Sequence, residues 1–237
     1  RGQTVGSHRA VSGAGMIERV KKILYASSAL RRSIQQSSEL DYGRDMIGGW
    51  AQRIAKPIPK TEVLRILDIG CGAGNDLLAV KRRLGDRALE LYGLDAVARD
   101  AEPLARQEIR VSIVDIERQR LPYADQFFDL IVCNQVLEHT KELFWIFSEY
   151  SRVLKCGGHL IIGTPNLAAL HNRLFLLFGD QPTCLHVLGP HVRGFTKKGL
   201  QRFIEAEGIF RVVDFKGSNL YPFPPSLSRP LVRWFPG

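Results

Sequence analysis

Three aspartates, Asp68, Asp95 and Asp115, stand at the ends of three short apolar runs, and the first is followed by glycines at 70, 72 and 74. Carboxylates accept hydrogen bonds and attract cations, while glycines let a ligand reach the main chain without meeting a Cβ. In "ILDIGCGAGND", residues 66–76, the glycine turn falls between a strand pattern and a helix pattern. A turn so placed aims the first helical N–H groups at whatever binds there. The spacing is GxGxG, with Asn75 where a dinucleotide fingerprint has its third glycine, and no GK[ST] follows to make a phosphate loop. Asp68 repels a phosphate and attracts a cation or an amine. Asp95, in "YGLDA", is spaced to accept both hydroxyl protons of a ribose, and Asp115, in "IVDIE", to accept from an exocyclic amine while Ile116 packs on a base. These residues describe a nucleoside ligand with a cationic centre.

Read in order, "LDIGCGAG", "GLD", "VDI", "FDLIVCNQVLEH" and "LKCGGHLIIGTPN" resemble the class I S-adenosylmethionine-dependent methyltransferases over roughly residues 60 to 216. The resemblance implies S-adenosylmethionine as cofactor and no metal. It sets Asp68 and the Gly70 backbone toward the methionine amine and sulfonium, Asp95 with Ala96 toward the ribose, and Asp115 with Ile116 toward the adenine. Asn134, Gln135 and Val136 line the cofactor's other side, and Cys71, Gly72, Gly74 and Asn75 complete the loop, Cys71 as a small packing residue. Arg44, in "DYGRD", lies on a helix that closes over the cofactor in similar proteins and is a candidate partner for the methionine carboxylate. "TPN" and "HVRGFT" resemble methyltransferases of the ubiquinone pathway and of glycan or lipid assembly. That implies O-methylation of a hydroxyl on a small sugar, lipid or quinone-like acceptor.

A hydroxyl acceptor needs a base, and the histidines in reach of such a cleft are His139, His171, His186 and His191. His139 begins a helix, where packing or capping explains it. His191 is the catalytic candidate: it lies in a loop bounded by glycine and proline, before a helix that Thr196 caps, and an imidazole with an ordinary pKa near 6.5 is mostly neutral at cytosolic pH.

The elements that must position these groups follow from periodicity. Strands are expected at 65–69, 90–94, 110–114, 128–133, 159–163 and 210–215, with helices between them, which makes an α/β, doubly wound and mostly parallel sheet. The proline-rich end, "YPFPPSLSRPLVRWFPG", predicts an incomplete seventh strand. Residues 1–15 read as a disordered leader or tag, 16–59 as a helical extension with helices near 16–30 and ending before Pro57, and 60–237 as the methyltransferase domain. The insert between the fifth and sixth strands carries Leu167, Leu170, Leu174, Phe175, Leu177 and Phe178 on one wide apolar face, either core or an acceptor or lipid surface.

A chain of 237 residues that is 45% hydrophobic can bury a full core, and no apolar run reaches the roughly 20 residues that span a bilayer. The four scattered cysteines suggest neither a zinc site nor a disulfide framework and fit a cytoplasmic setting. The net charge of +9 raises nucleic acid or a protein as the substrate, or weak contact with a membrane surface. "NQVLEH" after the fourth strand lacks the [DNS]PP[YFW] turn common in base amino-methylation, which argues against nucleic acid. A non-catalytic binding module is the remaining alternative, against which stand the intact acids and glycines. Lys81, Arg82, Arg83 and Arg87 read as a solvated helix face.

Overall fold

A computed structural model describes residues 43–97, 102–185, 187 and 189–217. Five strands form one parallel sheet in the order β3-β2-β1-β4-β5: β1 Leu64–Ile69, β2 Leu89–Asp95, β3 Ile109–Ile113, β4 Phe128–Asn134 and β5 Leu154–Gly163. The near-continuous apolar runs arise because both faces are covered. Leu67, Ile69, Ile131 and Cys133 pack on one side with α4 (Leu143–Val153), whose Ile146, Tyr150 and Val153 are buried. Ile66, Leu91, Leu130 and Val132 pack on the other, against α1 (Arg44–Ala55), α2 (Asn75–Leu84) and Leu104 of the short α3 (Glu102–Ala105). Odd and even strand positions thus serve different layers, as a pleat requires.

Chain order reverses between β1 and β4, and β1 is flanked by β2 and β4 in register, Ile69 pairing with Leu94 on one side and Cys133 on the other. In open sheets of this kind the crevice outside the carboxyl ends at such a reversal is where ligands bind.

Two expectations change. The sixth strand is absent: 210–215 has no sheet pairing, and β5 has no second neighbour among the described residues. The N–H groups that a strand would donate sideways are consumed locally, Val212 by the Glu205 carboxylate at 3.0 Å and Phe215 by its neighbour Asp214 at 2.8 Å. The segment is held by side chains instead. Phe210 packs edge-on to Phe147 under α4, and Asp214 accepts from Trp50 Nε1 and Arg53 Nη2 of α1, each at 2.7 Å. Secondly, α4 is stopped at Val153 by the chain turning extended at Leu154, not by Gly157, and β5 begins there, with an irregularity between its pairings at Phe128 and Leu130. The expected helix at 16–30, the leader and the chain end from Tyr221 onward lie outside the described residues.

The insert after β5 folds on itself around a buried amide. α5 (Leu170–Leu177) carries Asn172, 1% exposed, whose Oδ1 accepts from the Thr183 N–H and hydroxyl and whose Nδ2 donates to the Asn166 carbonyl. Its apolar residues do not form one buried face, since Phe175 is buried while Leu170, Leu174 and Leu177 are exposed. α6 (Lys197–Glu205) follows, capped as expected by Thr196 Oγ1 accepting from Gly199 N at 3.1 Å. The basic cluster on α2 is less solvated than it reads: Lys81 pairs with Glu108, and Arg87 donates to the carbonyls of Ala55, Ile58 and Pro59.

Candidate functional site

The carboxyl ends of β1, β2, β3 and β4 bring most of the predicted residues to one edge. Asp68, one position before the end of β1, is 2% exposed, and its buried Oδ2 has no hydrogen-bond partner. Its pleat direction sets it on the side of α1 and α2. Desolvation pushes its carboxyl well above the usual range, the Asp76 carboxylate adds to this, Arg44 opposes it, and Asp95 adds again. A buried acid with an orphaned oxygen is costly unless a proton or a cation satisfies it.

The three glycines of the turn have left-handed φ values of 69°, 51° and 75°, yet they are glycines for different reasons. A Cβ on Gly70 would stand 2.5 Å from Val136 Cγ2, and one on Gly74 2.5 Å from Leu104 Cδ2, so both glycines permit close packing within the protein. A Cβ on Gly72 would meet nothing within 4 Å, so this glycine alone of the three borders open space. Gly72 N donates to Asp95 Oδ2 at 3.0 Å and Val97 N to Oδ1 at 3.1 Å, which fixes the carboxylate at the end of β2. Cys71 is buried and packs on Gly93.

Arg44, the first residue of α1, pairs through Nε with Asp76 Oδ1 at 3.0 Å, and Asn134 Nδ2 donates to Asp76 Oδ2 at 3.0 Å. Asp76, missed in the sequence, therefore ties α1, α2 and β4 together beside Asp68. The signal was present, because an acid in the first turn of a helix favours its positive end. Asn75 and Ala96 are exposed and only border the turn. Asp115 caps its own loop, Oδ1 accepting from Glu117 N at 3.0 Å, and Ile116 is half-buried against the core. Gln135 holds φ of 59° without being glycine, locked by its N–H to the Gly163 carbonyl at 2.7 Å, and Val136 packs over Gly70.

Next along the chain, Leu137–His139 form one 3-10 turn. Two main-chain bonds, Val192 N and Arg193 N to the Glu138 carbonyl at 2.9 and 3.3 Å, hold the His191 loop against it. His139 and His191 meet edge to face with centroids 4.7 Å apart. Sequence reasoning singled out both histidines but treated His139 as a cap and missed Glu138, which is 2% exposed with neither carboxylate oxygen partnered. Burial raises its pKa above the usual range, against the backbone, His139 and His191. His171, by contrast, bonds Thr183 within the insert, and His186 lies outside the described residues. Cys133, fully buried and bonded to the Tyr150 hydroxyl, has its thiol pKa pushed up to about 12 by desolvation.

No helix among the described residues is long and apolar enough to cross a membrane. Residues 67–162 match the family model for a methyltransferase domain. The chain is 26% identical over 157 residues to the mitochondrial ubiquinone biosynthesis O-methyltransferase of Mus musculus, covering 62% of this chain and 41% of that protein. It is 29% identical over 159 residues to the ubiquinone biosynthesis O-methyltransferase of Idiomarina loihiensis, covering 63% and 59%. It thus spans about half the length of the curated relatives it matches. The crystal structure of a SAM-dependent methyltransferase, possible histamine N-methyltransferase, from Thermotoga maritima superposes with a TM-score of 0.50 at 20% identity, covering 75% of this chain and 78% of that one, which shows a common fold. With the parallel sheet and the reversal at β1 and β4, these matches show that residues 67–162 form a methyltransferase domain with the class I fold.

Proposed function

We propose that the protein transfers a methyl group from S-adenosylmethionine to a hydroxyl of a small, quinone-like or lipid-borne acceptor. The observation that carries the donor half is the buried, unpartnered Oδ2 of Asp68 beside the open turn at Gly72: a cationic donor supplies the charge that this oxygen lacks. S-adenosylmethionine supplies a methyl made electrophilic by its positive sulfur. The residues present fit it. Asp68 attracts the amine and sulfonium side, Asp95, a carboxylate fixed at the end of β2, is placed to accept from ribose hydroxyls, and Asp115 with Ile116 follows the end of β3 for the base. Arg44 offers a guanidinium for the carboxylate, shared with Asp76. Asn134, Gln135 and Val136 close the opposite wall.

Alignment and exclusion of water account for most of the acceleration such a site can give, because a cationic sulfur loses its charge in the displacement. On the acceptor side, proton removal falls to the group formed by Glu138, His139 and His191. The names of the matched relatives and the exposed leucines of α5 favour an acceptor with an apolar part, and that face is also suited to weak lipid contact. A nucleic-acid substrate is disfavoured by the absence of the amino-methylation turn.

Calorimetry with S-adenosylmethionine and its demethylated product tests the donor half. We expect both to bind, and Asp95→Ala to weaken each by about 1 to 3 kcal/mol. Absent binding, or tighter binding of NAD, overturns it. Labelled donor incubated with fractionated extract, followed by identification of the labelled product, tests the acceptor class.

A further inference from the structure

We propose that Arg193 is a specificity-determining residue that selects an acceptor carrying an oxyanion, a carboxylate or a phosphate, beside the hydroxyl to be methylated. The hydroxyl rests on the proposed methyl transfer, whereas the oxyanion contact rests on the charges of this rim.

Arg193 follows His191 by two residues in a stretch without helix or strand, and burial alternates along it: His191 and Arg193 are half-buried, while Val192 between them is 48% exposed. Val192 N and Arg193 N both donate to the Glu138 carbonyl, which pins this stretch against the turn that carries His139. From there the Arg193 side chain reaches Lys141, two residues beyond His139, and its Nη2 donates to the Lys141 carbonyl at 2.7 Å. The guanidinium thus stands beside the two histidines. Two residues of chain span at most about 7 Å, so a small acceptor can meet both His191 and Arg193.

Positive charge is left over here. A guanidinium is always protonated and has five N–H donors. Nη2 of Arg193 is engaged by the main chain of Lys141, Nε is buried without a partner, and no carboxylate among the described residues pairs with the group. The Lys141 ammonium has no acidic partner among them either. Glu138 does not supply the missing charge, since the cations that act on its carboxyl are His139 and His191. Glu117 accepts from the N–H groups of Lys141 and Glu142, and Glu142 pairs with neither cation. A half-buried cation without a counter-charge is unfavourable, and an incoming anion relieves it. The planar fork takes a carboxylate or a phosphate through paired hydrogen bonds, while a neutral acceptor would leave it desolvated and unpaired, which discriminates against that acceptor.

The test uses the full chain and matched probes, protocatechuate with its methyl ester and phenyl phosphate with phenol, titrated by calorimetry with and without the demethylated donor product. We expect at least one anion to bind at least about 10-fold more tightly than its neutral partner, and the pair that shows it tells a carboxylate from a phosphate. Arg193→Ala should abolish this preference. Arg193→Gln, which keeps a donor for the Lys141 carbonyl, should do the same with little change in melting temperature. A merely structural arginine would change stability and not the ratio of anion to neutral affinity. Equal affinities within both pairs for the wild type, undetectable binding of both anions, or a preference that survives in either variant overturns the role of Arg193. Methyl label from the donor, traced in fractionated extract, is expected in a product that an anion exchanger retains at neutral pH. Anion preference with no labelled product sinks methyl transfer and leaves the oxyanion contact standing, whereas a neutral labelled product sinks the selection by Arg193 and leaves methyl transfer standing.

Discussion

Asp68 shows the conflict between stability and function in one side chain. Its folded carboxyl sits well above its unfolded value, chiefly through desolvation. The folded state therefore holds the proton over a pH range in which the unfolded chain has released it. The associated stability is full below the unfolded pKa and is lost as pH rises through the window up to the folded value. Asp68→Asn keeps the shape and removes the charge. In the ligand-free protein at pH 7 we expect it to raise the melting temperature by about 2 to 4 °C for each ~1 kcal/mol of relieved desolvation, with a smaller difference near pH 4. The same variant should bind S-adenosylmethionine at least about 10-fold more weakly, the equivalent of ~1.4 kcal/mol. A melting temperature below that of wild type at pH 7, measured by calorimetry, would show that the carboxylate is satisfied in some other way.

At the scale of elements, the turn between β1 and α2 separates packing from binding. Gly74→Ala places a Cβ 2.5 Å from Leu104 in a left-handed conformation, so it should cost about 2 to 4 kcal/mol in denaturant unfolding. Gly72→Ala meets open space and carries only the conformational penalty, about 1 to 2 kcal/mol, but its methyl enters the ligand's path. Donor affinity should therefore fall more for Gly72→Ala, and stability more for Gly74→Ala. Equal effects of the two variants on both measurements would contradict this division.

For the whole molecule, Asp214 is the link that replaces a strand. It joins the segment after α6 to α1, and Trp50 and Arg53 hold its pKa below the usual carboxylate range. A lowered acid stabilises above its unfolded pKa, and the benefit disappears as pH falls through the folded value. Asp214→Ala should loosen this clasp, costing about 1 to 2 kcal/mol because the partners are partly solvated. Hydrogen exchange should then quicken along 210–217 and at the start of α1, and an unchanged exchange pattern would remove the clasp from the account.

The strands β1 to β4, the helix over Arg44–Ala55, the Thr196 cap and the acids at three strand ends were legible in the sequence, because pleat alternation, helical period and turn chemistry act over a few neighbouring residues. The sheet order placed Asp68, Asp95 and Asn134 at one edge as the motif order implied. Tertiary structure alone decided the rest. The Phe210–Phe215 run has the composition of a strand, but its N–H groups found nearer acceptors in Glu205 and Asp214, and its side chains found Phe147 and α1. The partnership of Glu138 and His139 with His191, 52 residues farther on than His139, depends on a loop returning across the sheet edge, and no local pattern encodes which distant loop will return. Likewise, the pairing of Arg44 with Asp76 and the burial of Asp68 exist only once α1 and α2 pack on the same face, since both desolvation and Coulomb interaction are properties of the folded surroundings and not of the residue.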